Sequence, residues 1–303
     1  MFCMNGRFFA YWIVVNLLLV PEIQNMRKSI SFRIIKSVRN LIVPISLTLL
    51  IVLSAFQPIP KKILAPVKIV IDAGHGGKDP GTVGSYTKEK DVALAVSLMV
   101  GEYIEKNVEN VEVVYTRKKD EFPTLEKRTT LANGHDADLF VSIHANSLPK
   151  STPATRKNAI KGVEVYVMGA QNTDRALEVA KRENSVILLE EDYEKNYDFD
   201  PQSPESYIIY NLAQSAYQEN SLLLASLIDD QLKTRAGRKS YGVKQSSLYV
   251  LWSTAMPSVL VEIGYLSNPT EEKELNDPSV QSYIASGIYR AVKEYRAAID
   301  SQN

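Results

Sequence analysis

Five short apolar runs rich in β-branched residues alternate with stretches of helical periodicity, and this alternation constrains the fold more than any other feature. The runs span residues 67–72, 111–116, 139–144, 162–167 and 258–263. Strands that alternate with helices pair mostly in parallel and need helices on both faces of their sheet. We therefore expect a single α/β domain with a largely parallel, mixed and twisted sheet covered on both faces.

Charge and cysteine content exclude several classes of function. Lysine plus arginine (35) equals aspartate plus glutamate (35), so the formal net charge is zero. Proteins that bind nucleic acid mainly through its phosphates carry a basic excess, and we expect no nucleic-acid partner here. The single cysteine, Cys3, precedes all five runs, so the predicted domain has no disulfide, no cysteine-ligated zinc and no thiol nucleophile.

The first 60 residues have the pattern of an export segment. An uncharged apolar stretch at 41–56 follows a basic region at 27–39, as in secretory signal peptides. This stretch contains Pro44 and is shorter than the ~20 residues of a membrane span, although an uncleaved anchor is the alternative. We expect export to the periplasm or cell envelope, with membrane contact only through 1–60, and a catalytic domain over 61–303.

A second apolar run, at 8–20, precedes Met26. Because Met26 stands directly before the basic region, we interpret it as the true translation start. The alternative is that both hydrophobic segments belong to the protein.

Two of the three histidines lie at corresponding places in the predicted sheet. His75 follows the run at 67–72, and His144 closes the run at 139–144. Carboxyl ends of strands meet at one crevice, and Glu89 begins the helix directly after the His75 loop. Two histidines and one glutamate around an open position are typical of catalytic zinc, while a polar network is the equal alternative on spacing alone. His135 is expected on a surface loop.

Glu262 is the fourth candidate residue, because it stands inside an apolar run. A buried charge is costly unless it is paired or functional. Its place near the carboxyl end of a predicted strand directs it to the same crevice, where a carboxylate can act as general base and acid. The alternative is a structural glutamate paired with Arg117 or Arg128.

Residues 182–202 interrupt the helical pattern with a segment dense in acidic and aromatic residues. Ser203, Pro204 and Glu205 then resemble a helix start, and we expect one long helix from Glu205 to about Lys233. Long irregular insertions are more often functional than accidental.

Taken together, these segments resemble the zinc-dependent N-acetylmuramoyl-L-alanine amidases of bacterial cell walls, the amidase-3 family. The matching segments are 71–84, 88–95, 116–117, 125–133, 136–146, 162–167 and 257–271. The resemblance implies that His75, Glu89 and His144 bind one catalytic Zn²⁺ and that Glu262 is the essential catalytic glutamate. The implied substrate is peptidoglycan, cut between N-acetylmuramic acid and L-alanine. Alternatives are a zinc peptidase acting within the stem peptide and a non-catalytic wall-binding regulator.

The resemblance also gives the insertion a role. In cell-division amidases of this type, an inserted segment covers the active site until an activator protein displaces it. By this resemblance, Glu183, Glu190 or Glu191 would occupy the open zinc position and an activator would act on 182–202. The alternative is a loop that contacts substrate.

Overall fold

The structure, a computed structural model, describes residues 66–170, 173–212 and 217–301. The predicted export segment, including the proposed start at Met26, lies outside the described residues. Among the described helices, none has the length and apolarity that crossing a membrane requires.

A six-stranded sheet forms the centre of the domain. Its strands span Val67–Ala73 (β1), Val111–Tyr115 (β2), Leu139–Asn146 (β3), Val163–Met168 (β4), Ser240–Ser246 (β5) and Ser258–Tyr265 (β6). In the sheet they lie in the order β2, β1, β3, β6, β4 and β5. The first, second, third and sixth strands are parallel, whereas β4 is antiparallel to β6 and parallel to β5. The prediction of a largely parallel, mixed sheet is confirmed.

Ten α-helices are present in the described part of the chain, together with a 3-10 helix at Ser185–Leu189. They are Glu89–Asn107 (α1), Leu125–Gly134 (α2), Ala154–Ala159 (α3), Asp174–Asn184 (α4), Tyr193–Asn196 (α5), Pro204–Leu212 (α6), Gln218–Thr234 (α7), Tyr249–Trp252 (α8), Pro269–Leu275 (α9) and Pro278–Asp300 (α10). Side chains cap the N-termini of several of them. Thr124 accepts a hydrogen bond from the Lys127 amide of α2, and Asn268 and Asp277 accept from backbone amides in the first turns of α9 and α10.

Both faces of the sheet are buried, as predicted. Along β1, Ile69 and Ile71 join the cluster that packs against α1, α7 and α10, whereas Val70 points to the cluster beneath α2, α4 and α8. Successive strand residues face opposite sides. A strand buried on both sides therefore needs an unbroken apolar run, which explains why the central strands could be predicted.

The prediction of one long helix from Glu205 to about Lys233 is wrong. Helix α6 ends at Leu212 and α7 begins at Gln218. The two helices pack on opposite faces of the sheet: Tyr207 of α6 belongs to one core cluster, while Leu224 and Ile228 of α7 belong to the other. A single straight helix cannot bury residues on both faces.

Strand β5 was not predicted from the sequence. It lies at the edge of the sheet, pairs with β4 alone, and all its residues but Ser246 are only half-buried. Its sequence, SYGVKQS, has no apolar run, because an edge strand with partial exposure tolerates polar residues.

Packing between α7 and α10 supplies a test of the core. Leu232 is fully buried, and a Cβ atom added at Gly287 would lie 3.2 Å from its Cδ2 atom. We expect Leu232→Ala to lower the free energy of unfolding by about 2–5 kcal/mol, through lost burial and the cavity left behind. The exposed Tyr283, which also lies on α10, is the control. Tyr283→Ala should change the free energy of unfolding by less than about 0.5 kcal/mol. Equal effects in denaturant titrations would contradict this packing.

Candidate active site

The predicted site residues gather at the edge of the sheet where β1, β3 and β6 end. His144 and Glu262 are register neighbours on β3 and β6, and His75 lies just beyond the end of β1. Glu89 is the first residue of α1. All four are buried, with Glu89 and Glu262 fully so. The exposed His135 lies away from the core, as predicted.

Two buried arginines hold the turn that carries His75. His75 has a φ of 58°, in the left-handed region that residues other than glycine rarely adopt. Arg128 donates to the carbonyls of Ala73 and His75 at 2.7 Å each. Arg117 donates to the carbonyls of Ala73 (2.9 Å) and Gly74 (2.7 Å). These contacts satisfy the exposed carbonyl groups of the turn and keep it in its strained conformation.

Asp72 neutralises one of these guanidinium groups. Its carboxylate lies 2.6 Å from Arg128 Nη1 and accepts hydrogen bonds from Ser142 and Thr116. Arg117 and Arg128 were the partners of Glu262 in the alternative prediction of a structural glutamate. The structure assigns both to the His75 turn, and Glu262 instead accepts from Arg182 Nη2 at 2.8 Å.

Four side chains direct ligand atoms at one point. His75 Nε2 lies 3.0 Å from Glu89 Oε1 and 3.2 Å from Glu183 Oε2. His144 Nδ1 lies 3.1 Å from Glu89 Oε1 and 3.0 Å from Glu183 Oε2. Ligand atoms of a tetrahedral zinc ion, with bonds of ~2.0–2.1 Å, lie ~3.3 Å apart. The group is therefore of a size and composition that could hold a metal ion.

Hydrogen bonding around this group favours the same interpretation. The outward atoms are occupied: His75 Nδ1 lies 2.7 Å from Asp79 Oδ2, and Glu89 Oε2 accepts from the Thr82 amide. The inward atoms His75 Nε2 and Glu183 Oε2 are buried and have no hydrogen-bond partner among the described residues. Buried polar atoms are normally satisfied, and a cation between them would satisfy both.

The charges around His75, Glu89, His144 and Glu183 also favour a bound cation. Burial lowers the pKa of His144, but the carboxylates of Glu183 and Glu89 outweigh it and raise that pKa to about 9. The pKa of His75 is likewise raised well above its usual value, against burial, by Glu89, Asp79 and Glu183. The carboxylates therefore attract either protons on the imidazoles or a cation, and a bound metal would release those protons.

Glu262 has the environment of an acid–base group. Burial raises its pKa well above the usual value, Arg182 opposes this effect, and the charges of Glu183 and Glu89 add to it. Its Oε2 atom has no hydrogen-bond partner in the described part of the protein. Such a raised pKa is characteristic of glutamates that accept and donate protons.

The three acids singled out in the insertion lie in different places. Glu183 joins the metal-ligand group, whereas Glu190 accepts from the Leu125 amide and from the Tyr197 hydroxyl, and Glu191 is exposed. Arg182 and Glu183 belong to the last turn of α4, so the irregular segment begins at the 3-10 helix rather than at residue 182.

Arg182, Asp79 and Asp72 belong to the site but were not predicted from the sequence. Arg182 has no local signal, because its contact with Glu262 joins residues far apart in the chain. Asp79 stands four residues after His75 in the glycine-rich loop. This short separation was the one feature of the sequence from which their contact could have been predicted.

A buried group of histidines and carboxylates, beside a glutamate of raised pKa at a strand-end crevice, is the type of site found in metal-dependent hydrolases. The chain belongs to the family described as N-acetylmuramoyl-L-alanine amidase, whose profile matches residues 69–294. It is thus a hydrolase that cleaves the amide bond between N-acetylmuramic acid and L-alanine in peptidoglycan during cell-wall remodelling. This confirms the family and the activity that the sequence motifs implied.

Individual relatives agree with this assignment. The chain is 32% identical over 256 residues to the N-acetylmuramoyl-L-alanine amidase AmiA of Escherichia coli K12, covering 81% of this chain and 82% of AmiA. The catalytic domain of CwlV, an amidase from Bacillus (Paenibacillus) polymyxa, is 30% identical with a TM-score of 0.54, covering 76% of this chain and 98% of CwlV. An amidase from Clostridium difficile 630, at 24% identity, shares the fold with a TM-score of 0.58, over 79% of this chain and all of that one.

The Asp72–Arg128 pair supplies a pH-dependent test of the site's framework. Although burial opposes it, Arg128, Ser142 and Thr116 lower the pKa of Asp72 below its usual value. Its stabilising effect is therefore complete above the unfolded pKa of about 4 and is lost as the pH falls through the lower folded value. We expect Asp72→Asn to cost about 3–5 kcal/mol at pH 7, because Arg128 is left buried and unpaired.

Denaturant titrations of both proteins at pH 7 and in acid would measure this cost. The difference should shrink as the pH falls. Asp192→Asn, at an exposed site with the same charge change, is the control and should be nearly neutral. A cost for Asp72→Asn that does not vary with pH would contradict the role given to the Asp72 charge.

Proposed function

We propose that the hydrolase uses one zinc ion, bound by His75 Nε2, Glu89 and His144 Nδ1, with a fourth position left for the reaction. The observation that carries the proposal is that His75 Nε2 and His144 Nδ1 lie 3.0 and 3.1 Å from the same atom, Glu89 Oε1. His75 Nε2 is in addition buried and has no hydrogen-bond partner among the described residues. Zinc held there would supply Lewis-acid chemistry, polarising the scissile carbonyl and acidifying water. Because two of the three ligands are neutral imidazoles and only one is a carboxylate, the zinc ion would keep the net positive charge that Lewis-acid chemistry needs.

Glu262 is the proton-transfer residue in this proposal. It accepts a proton from the attacking water and donates it to the departing nitrogen of L-alanine. Three features support the role: full burial, a raised pKa, and a place directly opposite His144 in the sheet register. Its free Oε2 atom is available for the exchange.

Glu262→Gln should retain zinc and lose about 10²–10⁴-fold in turnover, because an amide cannot carry the proton. Mass spectrometry of peptidoglycan digests measures turnover as stem peptides with a free L-alanine amino terminus, and elemental analysis measures zinc. The matched control is Glu164→Gln, a buried neighbour of Glu262 in the register whose carboxylate accepts hydrogen bonds from Asn146 and Tyr166; it should keep most of the activity. A fully active Glu262→Gln enzyme would refute the role, and shortened stem peptides would indicate a peptidase instead.

The last turn of α4 closes the site, and we interpret the structure as the inactive, resting form. Glu183 Oε2 lies 3.0 Å from His144 Nδ1 and 3.2 Å from His75 Nε2, so it would be a fourth ligand of the proposed zinc ion. The preceding residue, Arg182, pairs with Glu262 and donates to Glu183 Oε1 at 2.8 Å. Two adjacent side chains thus block the zinc position and the proton-transfer residue together.

Contacts outside the site hold this turn in place. Asn184 donates to the Ser247 carbonyl and accepts from the Tyr249 amide. Further along the insertion, Glu190 accepts from the amide at the start of α2, and Lys78 donates to the Leu189 carbonyl. An activator protein that binds the insertion and draws the end of α4 away would free both Glu262 and the ligand position.

The double variant Arg182→Ala/Glu183→Ala tests the closed state. Without both side chains, we expect basal hydrolysis of peptidoglycan to rise about tenfold or more, a typical size for a regulatory coupling. The control is Glu191→Ala, an exposed acid of the same insertion, which should leave the basal rate unchanged. A double variant with normal zinc content and no faster hydrolysis would show that α4 does not inhibit.

Export completes the proposed function. Peptidoglycan lies outside the cytoplasmic membrane, so an enzyme that cuts it must be exported. The basic and apolar pattern of residues 27–56 supports a signal peptide or an N-terminal anchor.

A further inference from the structure

We propose that Asp79 is a positioning residue that sets the metal affinity of the site by selecting the tautomer of His75. This inference depends on the zinc site proposed above. Asp79 is buried, and its two carboxylate oxygens have separate partners. Oδ2 lies 2.7 Å from His75 Nδ1, and Oδ1 accepts from the Gly81 amide at 2.9 Å.

The tautomer follows from what each group can donate. An ionised carboxylate only accepts hydrogen bonds, so His75 Nδ1 must carry the hydrogen. An imidazole that binds a metal is neutral and has a single N–H, and therefore Nε2 presents its lone pair. Nε2 is the nitrogen that faces Glu89 and Glu183 and has no hydrogen-bond partner among the described residues. Asp79 thus directs the lone pair of His75 to the place where a metal would bind.

The turn gives Asp79 little freedom to move away. The backbones of Gly76 and Asp79 exchange two hydrogen bonds, of 2.9 and 3.0 Å. Gly81 closes the turn against the site, where an added Cβ atom would lie 2.6 Å from His75 Cδ2 and 2.7 Å from Glu89 Oε2. The carboxylate is consequently held against the imidazole by the backbone as well as by its own hydrogen bonds.

The same loop orients a second ligand by different means. Glu89 Oε2 accepts from the Thr82 amide at 2.8 Å, and Oε1 accepts from the Ala145 amide at 2.9 Å. Glu89 is therefore oriented by backbone groups, which side-chain substitutions leave in place. His75, in contrast, is oriented by the side chain of Asp79. A substitution of Asp79 therefore tests how the loop orients His75.

Asp79→Asn changes the tautomer preference with almost no change in shape. If the amide oxygen keeps the Gly81 bond, the amide nitrogen faces His75 Nδ1 and favours hydrogen on Nε2, which then cannot ligate zinc. If the amide is reversed, its NH₂ group meets the Gly81 N–H, and two donors face each other. We expect about 10–100-fold weaker zinc binding, measured by competition with a chromogenic chelator.

Asp120→Asn is the matched control. Asp120 accepts from the Gly77 amide at 2.7 Å and from Lys90, and so supports the same loop without contacting His75. The zinc affinity of Asp120→Asn should equal that of the unmodified protein, and both variants should unfold cooperatively in chelator, as folded proteins do. Equal zinc affinity for Asp79→Asn and the unmodified protein would overturn the inference, as would an equal loss in Asp120→Asn.

A direct measurement does not depend on the variants. In the zinc-loaded unmodified protein, ¹⁵N NMR should show His75 with hydrogen on Nδ1, and an unprotonated Nδ1 would overturn the inference. Failure of the unmodified protein to bind zinc would instead overturn the proposed function, and the inference with it. The two failures are therefore distinguishable.

Discussion

Compensation of buried negative charge is the constraint on which the rest of this site depends. Glu89, Glu183 and Glu262 are all buried at one edge of the sheet, where an unpaired carboxylate would cost several kcal/mol. His75, His144 and Arg182 surround them, and the proposed zinc ion would add the charge that the imidazoles lose on becoming neutral ligands. Burial is the main cause of the raised pKa of Glu262, and the charges of Glu183 and Glu89 add to it. The proposed metal binding and the proposed proton transfer therefore depend on one arrangement of buried acids.

Polar contacts around these residues hold the backbone and the side chain of His75 in place. Arg117 and Arg128 are themselves buried, and their guanidinium groups donate hydrogen bonds to backbone carbonyls in the turn after β1. These carbonyls have no strand partner, because the turn lies beyond the end of β1. Asp72 neutralises Arg128, and Asp79 orients His75. The strained backbone at His75 is therefore held by several groups at once, as is usual where a functional residue departs from common backbone conformations.

The proposed closure by α4 depends on a single helical turn. Arg182 and Glu183 are neighbours in sequence, but one contacts the proposed proton-transfer residue and the other the proposed metal ligands. Both contacts are ionic and require the helix end to sit over the strand-end crevice. A small displacement would break both together, which suits control by a partner that binds the insertion.

The central strands, the sheet type and the gathering of His75, Glu89, His144 and Glu262 could be predicted from the amino-acid sequence. These follow from local patterns: buried strands need apolar runs, and parallel strands bring their carboxyl ends together. Other features are seen only in the folded protein: Arg182, not Arg117 or Arg128, pairs with Glu262, and Glu183, not Glu190 or Glu191, reaches the ligand group. The separation of α6 from α7 and the edge strand β5 are two more. Those features depend on which face of the sheet each helix covers, and long-range packing of this kind leaves no periodic signal in the chain.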